Sequence, residues 1–399
     1  CGGTLIFQTL DDKSECVGIY VDGKLHFDDI PTNLTKTWKY TGSIIDPNVE
    51  YASLLCSGLS LEEACSADML DDFKRLQRRF VAYLNSFRIG RINLHEHCFF
   101  DLVPNDFLLQ FCEAKNQITK HVFENFEKPV NYDHLDKLAK LLYKIKYQDL
   151  EVNNKDCKTL FYNSYAREKI KKLLNGKRYI DYNLFGTVTG RLTTAPGSFP
   201  ILTMMKEMRK LIKPKNDWFI SLDYNGAEVR TFLALCGDSQ PQEDIHDWNM
   251  KNVFGNRTLT REEVKTTFFA WLYNPDSNDI KSREYDKNKA LDRWYADGSV
   301  TTPFGRKLMV GEKKALNYLV QSTTADLVLE KAVQIDELLI GKKSFISHIV
   351  HDEIVLDVTD DERDYIVDIK KVFSENRLGN YLVNLKAGKN YLELEDLKL

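Results

Sequence analysis

The pattern of hydrophobic and polar positions divides the chain into a β-rich start, a helical middle and a mixed remainder. Over residues 1–50, TLIFQTL and CVGIYVDGKLHF are rich in β-branched and aromatic residues, and Asp22-Gly23 is a typical hairpin turn. From about Leu59 to Glu151, apolar residues recur at intervals of three and four, which predicts amphipathic helices. We therefore expect separate β-rich and helical regions before residue 160.

Beyond residue 180 the pattern predicts strands and helices in mixed order. WFISLDYN has the pattern of a buried strand, and GAEVRTFLALCG that of a helix closed by Gly237. TREEVKTTFFAWLYN predicts a helix capped by Thr260, and ALNYLVQSTTADLVLEKAVQIDELL a long helix. SFISHIVHDEIVLDV predicts two strands joined by a tight turn.

The composition is that of a globular protein with two or three subdomains, with 399 residues, 43% of them hydrophobic and 29% charged. The sequence has no run of eighteen or more apolar residues, so we expect no membrane span. Its start lacks the basic-then-apolar layout of a secretory signal. We therefore expect a cytoplasmic protein, not a secreted one. Eight scattered cysteines without a CxxC pair predict free thiols.

The net charge of −4 gives no indication of nucleic-acid binding, but two local runs are strongly basic. Residues 167–178 carry six cations and one Glu, and residues 206–215 carry five cations and one Glu. Taken alone, each run is more often a solvated face than a phosphate-binding site.

Acidic residues interrupt or follow apolar stretches at two places in the chain. FISLDYNGAEVR places Asp223 where a strand ends and a helix begins, and VHDEIVLDV places Asp352 and Glu353 inside an apolar run. One such Asp could be a helix N-cap. Carboxylates beside a core are costly unless something positive neutralises them, so two on neighbouring strand ends predict bound divalent cations.

The helix after Thr260 carries an unusual ridge, with Arg261, Lys265, Phe269 and Tyr273 spaced four residues apart. Two cations followed by two aromatic rings suit a ligand with phosphates at one end and a sugar and base at the other. The alternative is a core-facing helix whose long cations extend to solvent.

Several motifs occur in the order found in one enzyme family. DYNGAEVR is similar to DYSxIELR, REEVKTTFFAWLYN to R-x3-K-x3-(F/Y)-G-x2-Y-G, and VHDE at 350–353 is unaltered. TGRL at 189–192, DIH at 244–246, TPFGR at 302–306 and N-x3-Q-x3-AD from Asn317 also match. Over about residues 160–399 the chain resembles the A-family DNA polymerases, which include bacterial DNA polymerase I and many phage replicases.

The resemblance implies a mixed α+β fold, the right-hand polymerase with palm, fingers and thumb and an antiparallel palm sheet flanked by helices. It suggests a small β-rich N-terminal region at 1–60, vestigial or accessory, and a helical thumb at 61–160. The palm would comprise 161–239, with the first carboxylate motif, and 301–399, with the HDE motif and the C-terminus. Trimmed fingers would occupy 240–300.

The resemblance also implies a metal site and catalytic groups. Asp223, Asp352 and the Tyr224 carbonyl would hold two Mg²⁺ ions, for which Mn²⁺ could substitute. Glu353 would be an auxiliary catalytic residue or a hydrogen-bonded neighbour, and Lys265 would donate a proton to the departing pyrophosphate.

The nucleotide and DNA contacts follow from the same family. Among nucleotide-binding residues, the triphosphate would be gripped by Arg261, Lys265 and His246. Phe269 would pack on the sugar, and Tyr273 with Glu228 would crowd the space that a 2′-hydroxyl needs. The implied DNA-binding residues are Arg191, Asn317 and Gln321 at the minor-groove edge, His351 at the primer terminus, and Lys171, Lys172, Lys177 and Arg178 on the duplex backbone.

The chain departs from the family pattern in several places. Ala270 and Asn274 replace two glycines of the second motif, and Asn225-Gly226-Ala227 replaces the more usual Ser-Gln-Ile of the first. Only 31 residues separate Tyr273 from Gly305. These departures concern fidelity and speed rather than chemistry. Residues 1–60 show no DxE exonuclease cluster, so we expect no 3′–5′ proofreading by this chain.

The sequence therefore predicts a template-directed DNA polymerase that extends a primer with dNTPs, a monomeric phage or mobile-element replicase. Its partners would be primer–template DNA and dNTPs, together with a separate exonuclease or processivity factor, and no membrane. Alternatives are an inactive duplex-binding replisome protein and a polymerase for lesion bypass or RNA templates. A two-metal nuclease has no use for the ridge, and Glu228 with TGRL argues against an RNA polymerase.

Overall fold

The chain forms two compact units, Cys1–Lys144 and Ile145–Leu399. The computed structural model describes residues 8–12, 17–27, 31, 34–39, 50–51, 56–94, 96–153, 164–255, 259–274, 276–277, 280 and 285–398. The expected zone of β structure at the start falls partly outside these residues.

The first unit begins with short strands and continues with helices, as the pattern predicts. Its strands are β1 Gln8–Asp12, β2 Val17–Val21, β3 Lys24–His26, β4 Lys36–Thr37 and β5 Glu50–Tyr51. β1, β2 and β3 form an antiparallel sheet, and β4 pairs with β5 in parallel. The predicted turn at Asp22-Gly23 joins β2 to β3, and both residues have positive φ, 45° and 82°.

The helices of this unit bury an aromatic core. They are α1 Leu61–Ala64, α2 Ala67–Ile89, α3 Asn105–Asn125 and α4 Tyr132–Lys146, which ends just past the unit boundary. α2 and α3 pack together because one face of each is apolar: Phe80 stacks on Phe111 with ring centroids 4.9 Å apart.

The cysteines only partly follow the expectation. Cys65, Cys112 and Cys236 have free thiols. Cys98 is disulfide-bonded, so the prediction of free thiols is wrong at that residue. Cysteine spacing along the sequence does not reveal which thiols meet in the fold.

The second unit contains the mixed elements. Its helices are α5 Ser164–Leu174, α6 Ala227–Leu235, α7 Ile245–Asn252, α8 Arg261–Tyr273, α9 Lys287–Trp294, α10 Glu312–Leu338 and α11 Tyr365–Ser374. Its first strands are β6 Glu151–Val152, β7 Tyr182–Asn183, β8 Thr193–Thr194, β9 Ile212–Lys213 and β10 Trp218–Tyr224. The others are β11 Tyr295–Ala296, β12 Ser299–Thr301, β13 Lys307–Met309, β14 Phe345–Val350, β15 Glu353–Val358, β16 Glu375–Asn376, β17 Gly379–Asn380, β18 Val383–Gly388 and β19 Glu395–Asp396.

A five-stranded antiparallel sheet is the centre of this unit, with the strand order β14-β15-β10-β18-β19. Its apolar strands are buried because helices cover them. α11 is tied to β10, where the ring of Tyr224 stacks on Phe373 at 4.0 Å and its hydroxyl donates to the Phe373 carbonyl at 2.6 Å. The predicted mixed α+β fold with an antiparallel sheet flanked by helices is confirmed.

The long helix α10 confirms another prediction. Its buried residues lie on all sides, from Ala315 to Ile335, as expected of a helix packed between other elements. Among the described helices, none is both long and apolar enough to cross a membrane.

Candidate metal and nucleotide site

A cleft of about 510 Å³ in the second unit brings together most of the predicted metal and nucleotide residues. The predicted residues that line it are Asp223, Tyr224, Asp352, Glu228, His246, Arg261, Lys265, Phe269, Arg191 and His351. The other lining residues are Asn225, Gly226, Ala227, Thr324, Ala325 and Asn384. Acidic groups from the sheet therefore share one cavity with cations from α8.

Asp223 lies near the carboxyl end of β10, in the middle of the sheet. It pairs with Glu353 on β15 and with Asn384 on β18. The Asn384 side chain donates to an Asp223 carboxylate oxygen at 3.3 Å. Two neighbouring strands thus fix the backbone of Asp223, and its side chain reaches the cleft.

Asp352 belongs to the two-residue turn between β14 and β15. Val350 pairs with Glu353, so only His351 and Asp352 stand outside the ladder. His351 has a φ of 57°, which a non-glycine residue rarely adopts. This tight turn beside the end of β10 holds Asp352 in the same cleft as Asp223.

The two carboxylates are electrostatically unfavourable when no cation is present. Burial, and then the charge of Asp352, raise the pKa of Asp223 to about 7. Burial, and then the charge of Glu228, raise the pKa of Asp352. A bound cation would relieve both effects.

The donor set fits a hard divalent cation. Within the described ranges, no group of three or more His, Cys, Asp or Glu side chains is arranged to hold a metal. Mg²⁺ typically uses one or two protein carboxylates and takes its other oxygens from water and substrate phosphates. The carboxylates of Asp223 and Asp352 match that requirement, and Tyr224 lines the same cleft.

Glu353 lies opposite Asp223, but its carboxylate is already engaged. One oxygen accepts a hydrogen bond from the Ser221 hydroxyl at 2.6 Å, and the other accepts one from Tyr391 at 2.7 Å. The geometry matches the hydrogen-bonded neighbour among the two expected roles.

α8 presents three of the four ridge residues, Arg261, Lys265 and Phe269, to the cleft while its other face enters the core. Val264, Phe268, Trp271 and Leu272 are buried. The helix begins with a capping box, in which Thr260 and Glu263 exchange hydrogen bonds, as the prediction of a cap at Thr260 requires. The sequence pattern that carries Arg261 and Lys265 therefore belongs to a well-anchored helix.

The two cations of the ridge differ in their partners. Arg261 forms a two-point ion pair with Asp244, at 2.7 Å and 3.2 Å. Lys265 is exposed and forms no hydrogen bond or ion pair with the described part of the chain. Lys265 is thus the cation that an anionic ligand meets unpaired.

His246 lies behind the ridge and is 3% exposed. Its ring centroid is 6.4 Å from that of Phe269, and its Nδ1 atom has no hydrogen-bond partner among the described residues. Burial, and then the charge of Arg261, lower its pKa, so the imidazole is neutral at neutral pH.

Glu228 lines the cleft, whereas Tyr273 lines another cavity and reaches Glu228 through its hydroxyl. The Tyr273 hydroxyl donates to one Glu228 oxygen, and Arg191 pairs with the other. The rings of Phe269 and Tyr273 are nearly parallel, with centroids 6.0 Å apart. The predicted pairing of Tyr273 with Glu228 has direct contact geometry.

The remaining DNA-binding candidates lie elsewhere. Gln321 donates to Asn317, and Asn317 lines a different cavity together with Tyr273. Lys172 and Lys177 line a groove of about 370 Å³ between α5 and residues 197–208, and Lys171 and Arg178 are exposed nearby in sequence. The structure does not place these six residues in the cleft.

The sequence analysis assigned no role to three polar residues of the site. Asp244 receives Arg261, Asn225 donates to Asp244 at 2.7 Å, and Asn384 donates to Asp223. The position of Asp244 before IHDW is a helix N-cap signal that could have directed attention to it. No local pattern distinguishes Asn384.

Comparisons with known proteins support the same reading of the motifs. No protein-family model matches the chain. The chain is 25% identical over 280 residues to DNA polymerase I of Chloroflexus aurantiacus, a match that covers 56% of the chain and 30% of the relative. It is 25% identical over 252 residues to the thermostable DNA polymerase I of Thermus filiformis, covering 50% and 30%. The matches span less than a third of these relatives.

A solved structure shares the fold. It is the POL domain of Pol1 from M. smegmatis, in complex with DNA primer-template and dNTP. The TM-score is 0.61 at 14% identity, over 98% of this chain and 96% of that one. The comparison shows a polymerase-domain fold.

Proposed function

We propose that the chain is a template-directed DNA polymerase, because its sequence is similar to those of DNA polymerases I and its fold to that of a polymerase domain. It extends a primer 3′-hydroxyl with dNTPs by two-metal phosphoryl transfer. The observation that carries the proposal is the single cleft that Asp223 and Asp352 share with Arg261 and Lys265. A buried acidic pair facing cations is suited to Mg²⁺ with a triphosphate.

The acidic side of the cleft would bind metal ions, and the basic side would bind the triphosphate. Asp223, Asp352 and the Tyr224 carbonyl hold two Mg²⁺ ions, which would supply charge neutralisation at the transferred phosphoryl group and activate the attacking hydroxyl. Lys265 and Arg261 orient the triphosphate, and Lys265 donates a proton to the leaving pyrophosphate.

The other contacts are part of the same proposal. Phe269 packs on the nucleotide sugar, and Tyr273 with Glu228 limits the space beside it. The DNA is contacted through Arg191, His351, Asn317 and Gln321 near the primer end and through the exposed cations of residues 171–178. Residues 161–239 and 301–399 form the palm, 240–300 the fingers and 61–160 the thumb.

The biological setting is a further part of the proposed function. We propose a monomeric replicase of a phage or mobile element, acting in bacterial or infected-cell cytoplasm, without proofreading of its own. The genes that flank its coding sequence test the origin: phage structural or integration genes would support a phage or mobile element, and a cellular repair operon would contradict it.

Primer extension tests the activity. The purified chain is given Mg²⁺, a labelled primer–template and dNTPs, alongside D223N, D352N and the control D368N, whose Asp is exposed on α11. We expect extension by the parent and D368N and a loss of about a thousandfold or more in both cleft variants, because metal ligation contributes several kcal/mol.

The same assay separates the alternatives. Extension by D223N at the parental rate would leave a duplex-binding protein as the better explanation. Extension on an RNA template or across an abasic site, at rates near those on intact DNA, would favour a specialised polymerase of this fold.

A further inference from the structure

Asn225 follows β10 directly, two residues after Asp223, and is 4% exposed. Both polar atoms of its side-chain amide form hydrogen bonds. The Nδ2 atom donates to Asp244 at 2.7 Å, and the Oδ1 atom accepts from the Ile245 backbone at 2.8 Å and from Arg230 at 3.2 Å. The side chain therefore joins the end of β10 to the beginning of α7.

Asp244 continues this chain of contacts to α8. Its carboxylate caps α7 through the backbone N–H groups of His246 and Asp247, at 2.9 Å and 3.1 Å. It also accepts the two-point ion pair from Arg261. Although burial opposes its charge, hydrogen bonds from Arg261 and Asn225 hold the pKa of Asp244 well below its usual range.

Gly226 allows the Asn225 contact to form. It has a φ of 66°, and a Cβ atom there would lie 2.5 Å from the Ile245 side chain. The space that the absent side chain leaves lets α7 approach β10 closely enough for one amide to span the gap. Asn225 and Gly226 thus act together at a close contact between two elements.

We propose that Asn225 is a positioning residue of the nucleotide site, which acts through Asp244 to fix the Arg261 guanidinium relative to the strand that carries Asp223. The inference rests on the proposed function, in which Arg261 grips the triphosphate. An Arg side chain that an ion pair already orients loses less conformational freedom when its ligand binds. Nucleotide affinity is therefore the quantity that Asn225 controls.

Two variants remove successive contacts in the series from Asn225 through Asp244 to Arg261. N225A removes the amide that holds Asp244, and D244N keeps an N-cap oxygen while it removes the charge that holds Arg261. For each we expect KM for a dNTP to rise about tenfold while kcat changes less than about threefold. D244N replaces a partly exposed side chain, so it remains informative if N225A folds poorly.

The control is E243Q, which makes the same charge change one residue earlier. The Glu243 side chain pairs with Lys251 on the surface and does not line the cleft. We expect parental KM and kcat for this variant.

Coupling distinguishes positioning from general structural support. Because both residues act through Arg261, the double variant N225A/D244N should raise KM little more than either single change. Multiplicative effects, or a lower Tm with unchanged KM, would overturn the inference. A parent that extends no primer would instead overturn the proposed function, so the two failures are distinguishable.

Discussion

The hydroxyl of Tyr273 donates a hydrogen bond to the carboxylate of Glu228, 45 residues earlier in the chain. Arg191 pairs with the other oxygen of the same carboxylate. Three segments therefore converge on one acidic side chain that lines the cleft. In the proposed function, this cluster sets which sugar the site accepts.

Removal of this carboxylate should relax sugar selection. For E228A, we expect the ratio of rNTP to dNTP incorporation to rise by about tenfold to a hundredfold, because both bulk and a hydrogen-bond acceptor are lost. Single-nucleotide extension with each substrate measures it. Y273F, which keeps the ring and loses only the hydroxyl, should change the ratio less; a parental ratio in E228A would contradict the role.

Lys265 should matter for its charge. It lines the cleft without a partner in the described part of the chain, so K265A should lower kcat/KM by about a hundredfold to a thousandfold. K265R keeps the positive charge and should lose less. K251A, on the outer surface of α7, is the matched control, and an equal loss in that variant would show that the effect is unspecific.

Asp223 should lower stability at high pH when metal is absent. Its folded-state pKa of about 7 exceeds the ordinary 3.8, so the unfolded chain loses this proton first and stability falls as pH rises through that window. At pH 8 without metal, D223N should therefore have a free energy of unfolding roughly 1–3 kcal/mol higher than the parent. Water that enters the cleft keeps this difference small, because it partly solvates the Asp223 charge. The gain should shrink towards pH 4, as thermal unfolding across pH would show.

Mg²⁺ should reverse that penalty. Added at pH 8, it should raise the Tm of the parent and leave that of D223N nearly unchanged, because the neutral amide binds the ion poorly. KCl at equal ionic strength controls for screening. An equal Mg²⁺ response in both proteins would mean that the ion binds elsewhere.

Gly226 should tolerate no side chain. G226A combines a left-handed backbone with a 2.5 Å approach to Ile245, so we expect a loss of roughly 1–3 kcal/mol and weaker activity. G341A is the control for backbone strain alone, since Gly341 has a φ of 76° and a Cβ there would meet no atom within 4 Å. Chemical denaturation of both variants measures the difference, and equal stability would contradict it.

The purified chain should leave a mismatched primer end intact. We expect no shortening of a labelled, mismatched 3′ end over the time in which a matched end is extended. Shortening that a chelator abolishes, and that persists in D223N, would reveal a separate nuclease site.

Local patterns were sufficient to predict much of the second unit. The strand that carries Asp223, the turn at His351 and the capped helix at Arg261 each have a short-range physical signal: an apolar run, a tight polar interruption or a capping box. Because an antiparallel hairpin brings its turn beside the neighbouring strand end, the convergence of the two aspartates could also be predicted.

Side-chain pairings across long separations could not be predicted. The Asn384 side chain contacts Asp223, which lies 161 residues earlier in the chain. Tyr391, which follows β18 in the chain, contacts Glu353. Their identity depends on which elements pack together, and a single sequence has no periodicity that reports it. The same reason explains the wrong expectation at Cys98.

The two-residue connection between β14 and β15 limits how this protein can vary in length. β14 already has one register irregularity, between Ile346 and His348, whereas β15 pairs with β10 without interruption. Because side chains alternate between the faces of a strand, one residue added to the turn or to β15 would shift the pairing of Asp223 with Glu353 and displace Asp352 from its partner acid. Insertions and deletions should therefore be excluded from the turn and β15 and accumulate in the surface connections between helices. A tolerance map from random single-codon insertions would show residues 351–358 as an uninterrupted gap.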